Sequence, residues 1–135
     1  MIKGLDHVAI AVADLDSAVA LWEKLLGGRC EHREIVAEQK TEVAMIRLGD
    51  MCIELIAPST PDSPVAKFIE KRGPGLHHIA VHVESSSDQI ARFKARGGAM
   101  IDDAPRLGAH ESRVAFVHPK SLGVLIEFVE RPKQT

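Results

Sequence analysis

Tyrosine is absent from the 135 residues and tryptophan occurs once, so aromatic side chains make up only 4% of the chain. Surfaces that stack nucleobases need such rings, and a phosphate-backbone footprint needs a basic stripe. Here 17 Lys and Arg stand against 19 Asp and Glu, a net charge of −2, and no nucleic-acid partner is expected. Cysteine appears only twice, at Cys30 and Cys52, outside any CxxC pattern. That usage suits two ordinary buried thiols in a reducing compartment and argues against a disulfide framework. No apolar run approaches the ~20 residues of a membrane span, and Met1 to His7 lack the apolar stretch and small-residue cleavage site of a secretion signal. The expectation is a cytoplasmic protein with no membrane partner. A chain of this length buries roughly two thirds of its surface, enough for one domain over residues 1–135 without a structural staple.

What the chain does hold is seven histidines and an internal repeat. Leu5-Asp6-His7-Val8-Ala9-Ile10-Ala11-Val12 is matched, 71 positions on, by Leu76-His77-His78-Ile79-Ala80-Val81-His82-Val83. Alternation in both copies predicts strands. The large Val8, Ile10 and Val12, or Ile79, Val81 and Val83, face a core, and the smaller His7, Ala9 and Ala11, or His78, Ala80 and His82, face something else. A helical pattern follows each strand, Ala18 to Leu26 after a cap at Asp14 or Asp16, and Gln89 to Arg96 after a cap at Ser86 or Ser87. Each helix runs into a glycine pair, Gly27-Gly28 and Gly97-Gly98.

Further strands repeat as well. Glu42 to Ile46 answers Arg113 to Val117, Ile53-Glu54-Leu55 answers Ile126-Glu127-Phe128, and further strands are expected near Arg29 to Val36 and Ala99 to Asp102. Between the copies, Ser63 and Pro64 mark the start of a short helix over Val65 to Lys71. The predicted organisation is an α+β fold of two tandem βαβββ modules, residues 1–57 and 75–130, joined by a linker with one short helix over 58–74. Together the modules would form an open, cupped mixed sheet.

The repeat puts one His on the first strand and one Glu on the last strand of each module: His7 with Glu54, His78 with Glu127. A carboxylate inside an apolar strand costs several kcal/mol to bury unless it is paired or metal-bound, and here that occurs twice at equivalent positions. If the modules meet about a pseudo-twofold axis, two imidazoles and two carboxylates converge. Such a mixed set suits a divalent first-row ion such as Co2+, Mn2+, Ni2+ or Zn2+, with positions left for substrate. His77 falls on the opposite strand face and reads as structural.

The ordered fragments Asp6-His7-Val8-Ala9-Ile10-Ala11, Glu38-Gln39, Ile53 to Pro58, Asp62 to Phe68, Gly75-Leu76-His77-His78-Ile79-Ala80, Leu107-Gly108-Ala109-His110 and Phe116 to Lys120 leading into Gly123 to Glu127 cover nearly the whole chain. In order and spacing they resemble the vicinal oxygen chelate superfamily and, within it, the methylmalonyl-CoA epimerases. The resemblance implies interconversion of (R)- and (S)-methylmalonyl-CoA, a small-molecule acyl-CoA partner, cobalt as the divalent ion and a homodimer. It also implies that Glu127 is both metal ligand and catalytic base. Inversion needs a second acid-base group on the other face of the carbon. The family pattern places a Glu on the strand after an Glu-Gln-Gly-Val-like segment. Here Glu38-Gln39 continues as Lys40-Thr41, and an ungapped match puts Val43 at that position with Glu42 beside it. Side-chain parity, with Val43 and Met45 facing the core, assigns the second base to Glu42. By the same parity Arg113 meets a substrate carboxylate or CoA phosphate. The rival readings are a lactoylglutathione lyase, which shares the ligand set, and a drug-binding protein of the bleomycin-resistance type, which lacks the ligand carboxylates.

Overall fold

A computed structural model describes residues 1–133. The described residues divide into two compact units, His7–His77 and Met1–Asp6 with the segment from His78 onward. Each is a helix laid on a small mixed sheet, and the element order is β-α-β-β-β twice, with the linker helix between.

The first unit holds β1 (Ile2–Ala11) from His7 onward, with β2 (Arg29–Val36), β3 (Thr41–Leu48) and β4 (Met51–Pro58). β1 runs parallel to β4, and β2–β3 and β3–β4 are antiparallel. Helix α1 (Leu15–Leu26) starts at Asp14, whose side chain accepts the Ser17 N–H, and ends at Gly27 with φ 69°. Its buried face, Leu15 and Val19 with Ala18 and Trp22, packs on Ala44, Ile46, Leu55 and Ala57. Each such large apolar side chain contributes about 1.5–3 kcal/mol by leaving water. Helix α2 (Pro64–Arg72) follows with the expected cap: Ser63 accepts the Val65 N–H, and proline occupies the first turn, where its missing N–H costs nothing.

The second unit repeats the plan with β5 (Gly75–Val83), α3 (Ser86–Ala95), β6 (Arg106–Leu107), β7 (Arg113–Val117), the one-turn helix α4 (Pro119–Leu122) and β8 (Ile126–Glu130). β5 is parallel to β8, and β6–β7 and β7–β8 are antiparallel. Ile90 and Phe93 of α3 pack on Val83, Ala115, Val117, Ile126 and Phe128.

Two expectations are corrected in detail. The cap of α3 is Ser85, which accepts the Asp88 N–H, rather than Ser86 or Ser87. Ala99 to Asp102 is not a strand; it makes a single bridge, Met100 with Val117, and the edge strand comes later as the two-residue β6. The glycine pairs divide their labour. Gly27 and Gly97 take positive φ, whereas Gly28 and Gly98 allow close approach: a Cβ on Gly98 would lie 2.1 Å from the Phe93 ring.

Candidate metal centre and active site

The ladders decide which side chains share a face, because residues directly opposite on paired strands project to the same side. In the first unit Ala9 stands across from Glu54. In the second Ala80 stands across from Glu127. His7 and His78 each precede that alanine by two residues and so share the face of the neighbouring glutamate. Small Ala9 and Ala80 leave the space over the strand that the larger side chains occupy. The result is the same pair built twice: His7 Nε2 lies 3.4 Å from a Glu54 carboxylate oxygen, and His78 Nε2 lies 3.3 Å from Glu127 Oε1.

All four residues are buried, at 2% and 7% exposure for His7 and Glu54 and 7% and 5% for His78 and Glu127. A carboxylate at that depth is strongly disfavoured unless an opposite charge or a cation compensates it. Three of the four, His7, Glu54 and His78, offer ligand atoms within 4.8 Å of one another and could hold a metal ion. Imidazole nitrogen and carboxylate oxygen together fit a first-row divalent ion. Around the second pair, the Phe116 ring meets His78 edge-on, with centroids 5.2 Å apart. Phe116 also stands directly across from Glu127. His77, expected to be structural, packs edge-on against Phe68 at 4.7 Å.

Glu42 and Arg113 do not lie where parity placed them. The β3–β4 register sets Met45 across from Glu54 and Ala44 across from Leu55. Val43 and Met45 therefore share the face of Glu54, and Glu42 shares the opposite face with Ala44 and Ile46, beneath α1. There its carboxylate accepts from Arg33, which also pairs with Asp16 of α1. The physical reason is that β3 is buried on both sides, so residue size does not mark its faces; Ala44 is small because a helix lies on it. Arg113 repeats the error in the second unit. It shares a face with Ala115 and Val117 under α3, stands across from Glu130 and is exposed.

The sequence reading missed the arginine on the other side. Arg106 pairs across the ladder with Val114, which packs with Ala80 and Val129 on the face of His78 and Glu127. Its guanidinium carbon lies 5.7 Å from the centroid of Phe116, and its Nε lies 3.5 Å from Asp102, whose carboxylate accepts the Phe116 N–H at 2.8 Å. A two-residue strand carries too little alternation to reveal its faces from sequence.

Comparison with known proteins agrees with this architecture. The family model of the Glyoxalase/Bleomycin resistance protein/Dioxygenase superfamily matches residues 6–116. The ethylmalonyl-CoA/methylmalonyl-CoA epimerase of Cereibacter sphaeroides is 38% identical over 130 residues, covering 94% of this chain and 97% of that protein. The crystal structure of methylmalonyl-CoA epimerase from Mycobacterium tuberculosis is 38% identical, with a TM-score of 0.94 over 98% of this chain and 90% of that one. A Streptomyces coelicolor methylmalonyl-CoA epimerase variant, solved in complex with 2-nitronate-propionyl-CoA, is 33% identical, with a TM-score of 0.94 over 98% of this chain and 100% of that one. The chain therefore belongs to the glyoxalase superfamily and, within it, to the methylmalonyl-CoA epimerase family.

Proposed function

We propose that this chain interconverts (R)- and (S)-methylmalonyl-CoA, with His7, Glu54, His78 and Glu127 as ligands to one divalent ion. The observation that carries the reading is the buried His–Glu pair, built twice at the same ladder register in a chain of epimerase kinship. Two modules, 1–57 and 75–130, joined through 58–74, would each supply half of the ligand set. When bound, the ion supplies Lewis-acid stabilisation of the negative charge that develops on the thioester oxygen.

The side chains do the remaining work. The hydrogen on the carbon between thioester and carboxylate is acidic, and Glu127 takes it from one face. Phe116, across from Glu127 and edge-on to His78, helps to wall that side of the site against water. Arg106, on the face of Glu127, takes the anion-binding role expected of Arg113, because its planar fork matches a carboxylate or phosphate. Cobalt is our choice of ion because the resemblance to the methylmalonyl-CoA epimerases implies it; the mixed nitrogen and oxygen donors suit first-row divalent ions as a group. A homodimer in the cytoplasm completes the reading, supported by the eight-residue β2 at the edge of the sheet, which offers backbone groups for pairing, and by the sparing use of cysteine.

The test is incubation of metal-loaded protein with (S)-methylmalonyl-CoA in heavy water. The expected result is deuterium at the central carbon together with loss of optical purity. Absence of uptake, alongside turnover of the methylglyoxal–glutathione adduct, would replace the epimerase by a lactoylglutathione lyase.

A further inference from the structure

Inversion at carbon requires a second group to return a proton, and Glu42, under α1, is on the wrong face to do so. The face of the first unit that carries Glu54 can be read strand by strand. On β1 it presents His7, Ala9 and Ala11, on β4 Glu54 and Ile56, and on β3 Val43 and Met45. On β2 the ladder gives a different answer from simple alternation. Cys30 stands across from Ile46 on the helix face, but the register shifts at the next residue, so that His32 stands across from Met45 and Glu34 across from Val43. A bulge of this kind re-aims the side chains that follow it. It turns His32 and Glu34 onto the face of Glu54.

His32, Met45 and Glu54 then form one row across three adjacent strands. With neighbouring strands about 4.8 Å apart, the backbones of His32 and Glu54 are separated by roughly 10 Å. That gap is of the size of a malonyl unit rather than of a direct side-chain contact. The imidazole is also held: its Nε2 lies 2.7 Å from Glu34 Oε1, and both side chains are about one third exposed, at 33% and 31%. Among the titratable side chains that these four strands place on this face, His7 and Glu54 are spoken for as ligands. The same face also carries Arg47 and Cys52 one row further along, with Glu31 bonded to Arg29 and Arg47; the His32–Glu34 pair is the imidazole–carboxylate pair whose ring stands in the row of Glu54.

We infer that His32 is the second acid-base residue of the reaction, positioned by Glu34. The inference rests on the epimerase reading above and supplies the step that reading leaves open. As Glu127 breaks the C–H bond on one face and becomes a carboxylic acid, the imidazolium of His32 gives up its N–H proton to the same carbon from the other face. A new C–H bond forms, and the imidazole is left neutral. Glu34 fixes the ring's orientation and offsets its positive charge while it holds the proton. The opposite epimer runs the same transfers backwards, and exchange with solvent resets both groups. An imidazole whose orientation is set by a carboxylate is the usual form of a positioned general acid-base.

The experiment follows deuterium uptake and optical rotation separately, in heavy water, for each epimer. In the wild type uptake and inversion go together. In His32→Ala, uptake through Glu127 is expected to persist for one epimer, while inversion falls by about 100-fold, the usual contribution of one acid-base group. Added free imidazole should restore inversion in His32→Ala, a recovery that a structural role would not produce. Glu34→Gln should lower inversion with KM little changed. Inversion by His32→Ala at the wild-type rate, or loss of inversion with no response to imidazole at an unchanged thermal midpoint, overturns the assignment. Failure of the wild type to exchange either epimer would instead overturn the epimerase reading itself, so the two failures are distinguishable.

Discussion

Glu130 closes β8 three residues after Glu127 and ties the sheet to the start of α3. One of its carboxylate oxygens accepts both the backbone N–H and the hydroxyl of Ser86, at 2.7 and 2.8 Å. Ser86 is fully buried and is the first residue of the helix, where N–H groups lack intrahelical partners and the helix dipole favours negative charge. These bonds hold the Glu130 carboxyl below its ordinary value of 4.5, the backbone N–H of Ser86 being the largest cause. Substitution Glu130→Gln keeps an acceptor but removes the charge. A hydrogen bond to a charged group carries about 1.5–3 kcal/mol. Partial exposure screens that, so the expected loss is about 1–2 kcal/mol. For a domain of this length the same loss lowers the melting midpoint by roughly 4–7 °C.

The pH dependence has a definite sign. A carboxyl whose value is depressed by folding stabilises the native state above its unfolded value, and that contribution disappears as pH falls through the folded one. The gap between wild type and Glu130→Gln should therefore be full at pH 7, begin to narrow below about pH 4.5, and close at lower pH. Urea unfolding of metal-free protein across this range measures it, and metal-free protein keeps proton competition at His7 and His78 out of the comparison. Ser86→Ala, which removes the hydroxyl but not the N–H, should cost about half as much and couple to Glu130→Gln in a double-mutant cycle. A gap that stays constant from pH 7 through the acid range, or additive effects of the two substitutions, would refute the reasoning.

The proposed metal centre makes thermal stability depend on the ion: at free metal 100-fold above Kd the gain is about 2.7 kcal/mol, and Glu54→Gln should abolish that shift in a thermal scan. A metal-dependent midpoint that survives Glu54→Gln would remove Glu54 from the ligand set. Glu42→Gln should leave the inversion rate within about two-fold of wild type and change stability by less than ~0.5 kcal/mol, since it breaks only a half-exposed ion pair with Arg33. Arg106→Gln should raise KM for the acyl-CoA by about 10-fold or more, while Arg113→Gln leaves it unchanged, as steady-state kinetics would show. Gly98→Ala drives a methyl into the Phe93 ring, which packs edge-on against Phe128 at 5.8 Å, and the overpacking should cost about 1–3 kcal/mol in chemical denaturation.

The two buried His–Glu pairs were legible from the sequence because two independent constraints coincide at them. A charge in an apolar strand is costly, and the 71-residue offset from His7 to His78 shows the same cost incurred twice. The faces of β1 and β5 were legible for a related reason: one side of each is lined by Ile10 and Val12, or Val81 and Val83, which pack on the helices. β3 and β7 break that logic. Val43, Ala44 and Ile46 are all buried, as are Val114, Ala115 and Val117, and a strand covered on both sides has no polar face to mark its register. Smallness at Ala9 and Ala80 makes room beside the buried Glu54 and Glu127, whereas smallness at Ala44 and Ala115 lets α1 and α3 approach the sheet. One residue type thus answers two opposite demands, and the duplication carries the resulting misassignment from Glu42 to Arg113.

Duplication also explains why the two halves need not do the same chemistry. The ladder equivalents of Val43 and Val114 have opposite partners on the edge strand: Glu34, held by His32, in the first unit, and Arg106 in the second. The buried His–Glu pairs are copied, but the positions two strands away have diverged in charge. The divergence depends on the register shift between Cys30 and His32, without which His32 and Glu34 would face α1 instead. Sequence alternation runs straight through such a bulge and assigns the residues after it to the wrong side. Under the proposed function, an asymmetric substrate, with a reacting carbon at one end and anionic groups elsewhere, is better served by His–Glu pairs that are alike and rims that are not. The roles proposed for His32 in acid-base chemistry and for Arg106 in anion binding both rest on that one asymmetry.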